Sequence, residues 1–211
     1  MGFEMPLMTF LIGFVLLCGW FLALGSDRRA LALLQQAARL ILLPLLFLAA
    51  FHILLGFLAG ALAGLNPTKP HWLVPVAMGL VIPTVIEEAI KLRASRRLSN
   101  GNDVFVVVVL FGVFEIALLK PLNMIGTEVS LATQTFLMPA VALHALTAAI
   151  YAYFLRDRPG VQFALCLGIH LAFNWAAMRV GGVPEWPWAV IPLVLLTLAM
   201  VRNKRPFEQA R

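Results

Sequence analysis

The chain has 211 residues, 62% of them apolar and only 12% charged, with a mean hydropathy of +0.93 and a formal charge of +6. Soluble domains carry about a quarter charged residues, so this composition excludes an ordinary water-soluble fold; the length accommodates about seven membrane-crossing helices of about 20 residues, with no separate soluble domain. The basic excess reports membrane orientation, because cytoplasmic loops collect Lys and Arg, and it does not call for a nucleic-acid partner.

The first apolar run, 5–24, ends in small residues like a signal peptide. Its leading segment, however, carries Glu4 and no Lys or Arg, while Arg28 and Arg29 follow it, so it reads as a retained helix with its N-terminus outside. Further spans are expected at 40–63, 72–92, 104–119, 136–155, 161–180 and 186–201. The breaks between them carry turn chemistry: Asn66-Pro67 with Pro70, the segment Ser99-Asn100-Gly101-Asn102-Asp103, Arg158-Pro159-Gly160, and Gly181-Gly182 with Pro184.

Charge counting fixes the orientation. With the N-terminus outside, thirteen of the sixteen basic residues fall on the cytoplasmic side, and only Lys69, Lys120 and Arg179 fall on the other. The expectation is an all-α polytopic transmembrane helix bundle of about seven spans, N-out and C-in, forming a single integral membrane domain over 1–211. Its functional core is placed at about 72–180, with the first, second and last helices flanking it. Trp72, Trp186 and Trp188 sit at span ends as interfacial anchors, and Cys18 and Cys166 lie in apolar runs without metal or redox spacing.

The spans bury few polar groups, which makes each informative, since an ionised side chain at bilayer depth costs roughly 2.5–3.5 kcal/mol. The third span holds Glu87, Glu88 and Lys91, the fourth Glu115, the fifth His144, and the sixth His170 and Asn174. His52 has no motif partner and reads as a core histidine; His71 reads as an interfacial loop residue. Glu87 and Lys91 share a helix face at i,i+4, and Glu88 is i,i+3 from Lys91. Gly112, between Phe111 and Glu115, removes side-chain bulk and lets a neighbour approach. Ser26, Ser95, Ser99 and Ser130 are assigned to loops, as are Asp27, Asp103 and Asp157, and no HExxH occurs. Serine, paired-aspartate and HExxH proteolysis are therefore set aside, leaving glutamates and histidines as the chemistry.

Glu87-Glu88-Ala89-Ile90-Lys91 fits EExxK, Phe111-Gly112-Val113-Phe114-Glu115 fits FxxxE, His144 stands alone on the next helix, and His170-Leu171-Ala172-Phe173-Asn174 fits HxxxN. In this order, the set resembles the PrsW-type intramembrane proteases of the CAAX protease and bacteriocin-processing superfamily. The resemblance covers about half the chain. It implies a membrane-embedded endopeptidase of the bacterial inner membrane acting on a single-span protein substrate such as an anti-sigma factor. Asn174 stands where the family often has Asp.

Two versions of the chemistry use the same residues. Without metal, Glu87 or Glu88 activates a water while His144, His170 and Asn174 orient it and support the oxyanion. With zinc, His144, His170 and Glu115 supply the ligands and Glu87 or Glu88 remains the base. Both require Glu87 to lie within about 10 Å of His170, although straight helices leave it some 7–8 Å too far toward the cytoplasm, so a kink at Pro83 or a later helix start is expected. Two other classes use such a cluster: a non-catalytic scaffold that binds a partner's transmembrane helix, and a proton-coupled transporter or relay.

Overall fold

The computed structural model describes residues 28–65, 80–115, 137–180 and 186–202. Every regular element among them is helical. The first expected span, His71, Trp72, Cys18 and the loops that hold Lys69, Lys120 and Ser130 lie outside the described residues.

Helix α1 spans Arg28–Ala37 and passes through a π-helical turn, Ala38–Leu42, into α2, Leu43–Leu65. The helix therefore begins well before the expected start at 40, and Arg39 lies within it instead of in a loop. The stretch before 40 carries Arg28, Arg29 and Arg39, yet it is amphipathic: Leu33, Ala37 and Ile41 are buried on one side. A π turn admits one extra residue and turns the following helix face. Here it lets the same stripe continue through Leu45 and Leu48.

Residues 80 and 81 form a second π turn, which leads into α3, Ile82–Arg97. Pro83 occupies one of the first helical positions, where its missing N–H is tolerated. Thr84 Oγ1 donates to the Leu80 carbonyl at 2.7 Å. The helix runs beyond the expected end at 92, so Ser95 is on it and buried, its hydroxyl donating to Leu92 O at 2.7 Å. Its assignment to a loop is corrected, because the arginine-rich tail continues the helix to the last turn, where cations favour the helix C-terminus.

Helix α4, Gly101–Phe114, starts with Asn100 as its cap, the Oδ1 accepting from Asn102 N–H at 2.8 Å. Asp103 is thereby in the first helical turn and not in the loop, a position that suits an acidic residue at the positive end of the helix dipole. The run of β-branched valines in α4 has low helix propensity in water. Burial decides otherwise, with Val104, Val107, Val108, Leu110 and Phe111 all inaccessible.

Helix α5 covers Leu137–Tyr153, α6 Pro159–Val180 and α7 Trp186–Arg202. Between α5 and α6 the chain turns sharply through Leu155 at φ 50°, left-handed and unusual for a residue with a Cβ. Gln162 of α6 is buried and reaches back to the carbonyls of Ile150, at 3.0 Å, and Phe154. Arg156 donates to Ser99 O at 3.0 Å and Leu98 O at 2.9 Å, and Arg96 donates to Arg156 O at 3.1 Å, which ties the α3–α4 turn to the α5–α6 turn.

Helix α5 packs on α4 and α7, α6 on α3, and α1 on α4. Large apolar side chains face outward: Leu43, Phe47 and Leu54 on α2, Val161 and Trp175 on α6, Leu195 and Leu198 on α7. The charged residues Glu87, Glu88, Lys91 and Glu115 face inward. By length and composition, one helical stretch among the described residues, Leu31–Leu48, suffices to cross a bilayer.

Candidate functional site

The interior of α3, α4, α5 and α6 holds one polar cluster. Glu87, Glu88, Lys91, Glu115, His144 and His170 are each at most 7% exposed, and contacts link them into a continuous set. The helices position them through the spacings visible in the sequence: α3 carries the Glu-Glu-Lys step, Glu115 directly follows Phe114 of α4, and α5 and α6 each contribute one histidine.

Glu88 is saturated. Its Oε1 lies 2.6 Å from Lys91 Nζ and 2.8 Å from His170 Nδ1, while Oε2 accepts from Tyr151 Oη at 3.0 Å. The buried Lys91 ion pair makes this carboxylate an acceptor, so His170 Nδ1 carries the proton and donates. His170 Nε2 is then the basic nitrogen. It lies 3.6 Å from Glu87 Oε2, beyond a direct hydrogen bond but well inside the distance a shared site demands. The depth mismatch expected from straight helices is absent; the π turn at 80–81 and Pro83 lie two helical turns or less from Glu87.

A second carboxylate–histidine contact lies alongside. His144 Nε2 is 2.8 Å from Glu115 Oε2, and the ring is set edge-on to His170 with centroids 5.7 Å apart. Its other nitrogen, Nδ1, is buried with no hydrogen-bond partner among the described residues. A buried polar atom in that state loses about 1–3 kcal/mol unless water or a ligand reaches it. Gly112 makes the arrangement sterically feasible: a Cβ there would meet His144 Cβ and Cγ at 2.6 Å. Lys91 Nζ also stands 5.0 Å from the centre of the Phe111 ring, a cation–π distance.

Asn174 has a different position from the one its motif suggests. Its amide donates to Thr84 Oγ1 at 3.1 Å, one link removed from the cluster, and Thr84 in turn bonds the Leu80 carbonyl. His170 draws both its carboxylate contacts from α3, so the Asn at this position costs it no charged neighbour. Thr84 and Tyr151 are the site residues that carry no motif. Their only sequence signal is register: Thr84 is i−4 from Glu88, and Tyr151 is i+7 from His144, two turns along the same face of α5.

The zinc reading calls on His144, His170 and Glu115 as ligands. Among the described residues no group of three or more His, Cys, Asp or Glu side chains is placed to hold a metal ion. His144 Nε2 lies 2.8 Å from Glu115 Oε2 and His170 Nδ1 lies 2.8 Å from Glu88 Oε1, so each ring has one nitrogen against a carboxylate oxygen. His52 lies on α2, and Cys166 is a buried free thiol.

Comparison of the chain with protein-family models, with curated proteins and with solved structures gave no match.

Proposed function

We propose that this chain is an intramembrane endopeptidase that hydrolyses a peptide bond in a membrane-anchored protein, with His170 and Glu87 as the water-activating pair. The observation that carries the reading is the position of His170 between two carboxylates, Glu88 at 2.8 Å on Nδ1 and Glu87 at 3.6 Å from Nε2, in a buried site. The order of motifs, which resembles the PrsW-type proteases, supports the same reaction class. So does the inside-out distribution of side chains, with charges within and exposed Leu, Phe and Trp without, the pattern a lipid solvent selects. On this reading the chain is a multi-pass protein of about seven spans in the cell membrane, N-out and C-in.

The chemistry follows from the division of labour between adjacent glutamates. Glu88 is locked by three donors and fixes the tautomer of His170. Glu87 and His170 Nε2 are spaced so that one water, about 2.8 Å from each, bridges them. As that water attacks the substrate carbonyl carbon, its proton passes to the Glu87–His170 pair and the carbonyl oxygen becomes an oxyanion. Collapse of the tetrahedral intermediate breaks the C–N bond, and the same proton goes to the leaving amine. His144, with Nε2 on Glu115, keeps Nδ1 available to accept from water or a substrate N–H. The steps use these side chains alone.

The test is cleavage of a panel of single-span substrates by purified protein in lipid nanodiscs. Wild type is expected to cleave, and Glu87→Ala, Glu88→Ala and His170→Ala are each expected to lose at least about 100-fold. Cleavage that persists in all three variants overturns the site assignment; no cleavage of any substrate by wild type favours the scaffold reading. Orientation is tested separately with Ser99→Cys in a Cys18→Ala, Cys166→Ala background, which should react with an impermeant maleimide only from the cytoplasmic side.

A further inference from the structure

The carboxylate of Glu88 holds three donors, and two of them, Lys91 and His170, share Oε1. Its other oxygen, Oε2, faces Tyr151, whose hydroxyl lies 3.0 Å away and 3.3 Å from the Glu88 backbone carbonyl. That carbonyl belongs to a helical ladder and is neutral, so the single hydroxyl proton favours the charged oxygen, charge-assisted bonds being about twice as strong. Tyr151 is fully buried and is the largest such side chain among the described residues, so its ring cannot move aside and its hydroxyl is held in place by packing.

Rotation about the terminal bond of a glutamate is soft, and its two oxygens are chemically equivalent. With a donor on only one of them, Glu88 is free to twist and to present either oxygen to Lys91 and His170. With Tyr151 on Oε2, the plane of the carboxylate is defined by contacts on both sides. Helix α5 thereby governs both carboxylate–histidine contacts: through His144 it meets Glu115, and two turns later through Tyr151 it meets Glu88.

We infer that Tyr151 is a positioning residue, which acts through Glu88 to hold the Nδ1–H tautomer of His170 and so to keep Nε2 as the basic nitrogen facing Glu87. The inference rests on the peptidase reading for its consequence in catalysis, but its structural half stands without it. Tyr151 does not touch the reacting atoms, and no spacing in the sequence marks it.

The experiment compares wild type with Tyr151→Phe, which keeps the ring and removes only the hydroxyl. The chain has 4 histidines, so 15N-histidine labelling with His170→Asn as the assignment control isolates the His170 signals. Wild-type His170 is expected to be predominantly protonated on Nδ1. In Tyr151→Phe the two tautomers should mix, with kcat lowered about 10- to 100-fold and KM within about twofold, as for other residues that orient a site ligand from behind. Should the phenylalanine variant fail to fold, fluorotyrosine in a Tyr153→Phe background leaves one labelled ring in the protein, since there are only 2 tyrosines. A stronger phenol donor there should sharpen the Nδ1–H preference. Unchanged His170 nitrogen signals in both proteins overturn the inference, even if stability falls. If wild type cleaves nothing while the tautomer responds as described, the peptidase reading fails and the positioning role stands.

Discussion

Replacing Gly112 with Ala sets two opposed effects against each other. Alanine is favoured over glycine in a helix interior by about 0.8–1.0 kcal/mol. The added methyl, however, would lie 2.6 Å from His144 Cβ and Cγ and 2.7 Å from Cδ2. Ordinary carbon–carbon contact is about 3.5–4.0 Å, so roughly 1 Å of separation is needed. One of the atoms met is His144 Cβ, which is fixed to the α5 backbone, so the ring cannot swing clear alone and the helices must part. Overpacking of this kind costs about 1–3 kcal/mol, which leaves a net loss of about 0–2 kcal/mol in stability. The geometry suffers more than the fold does. A shift of that size takes the 2.8 Å contact between His144 and Glu115 beyond hydrogen-bond range, and a 1 Å misplacement of a catalytic group is worth about 100-fold in rate. Initial cleavage rates in nanodiscs, with the unfolding midpoint measured in the same preparation, should show Gly112→Ala about 100-fold slower and only slightly less stable. Gly168→Ala is the control: a Cβ there meets nothing within 4 Å, so that variant should keep full activity. Gly112→Ala with activity within twofold of wild type would refute the reasoning.

Other substitutions separate the roles within the cluster. Lys91→Met removes the cation from Glu88 and leaves a buried carboxylate without its ion pair, which should lower stability by about 3–5 kcal/mol in denaturation followed by tryptophan fluorescence. Glu87→Gln and Glu88→Gln should part company: the first abolishes cleavage with an unfolding midpoint close to wild type, and the second loses both, because only Glu88 is bonded to Lys91, His170 and Tyr151 together. Equal midpoints for the two would contradict the division of labour. Gln162→Leu leaves the carbonyls at the end of α5 without their donor and should cost about 1–3 kcal/mol, read in the same denaturation experiment. Extensive chelation should leave cleavage unchanged, and stoichiometric zinc in active protein by elemental analysis would overturn the side-chain-only chemistry.

The cluster was legible because charge in an apolar run is expensive. Glu87, Glu88, Glu115, His144 and His170 stand out for that reason alone, and the structure brings all five into one interior. Gly112 was legible for a related reason, as a missing side chain beside a buried acid. What the sequence concealed is direction. Adjacent glutamates differ by about 100° of helix rotation, and nothing in their identity says which one Lys91 and Tyr151 will bind. Asn174 matched its motif yet bonds Thr84, because a motif records spacing along one helix and not what the facing helix offers. Boundaries failed where charge was taken to mean loop: Arg39, Ser95 and Asp103 all lie on helices. Tyr151 was hidden by its surroundings, since one aromatic in an apolar run looks like any other.

The two carboxylate–histidine contacts differ in when each can form. Glu88 and Lys91 are i,i+3 on one helix, so on the proposed membrane reading α3 reaches the bilayer with the Glu88 charge already compensated. Glu115 comes out next, at the far end of a valine-rich helix, and its histidine belongs to α5, which has yet to be made. For that interval α4 carries an acid whose histidine has yet to be made. On the proposed membrane reading, insertion has an order in which the His144–Glu115 contact closes only when α5 arrives, and a chain stopped before His144 should leave α4 more exposed to the quality-control proteases of the membrane.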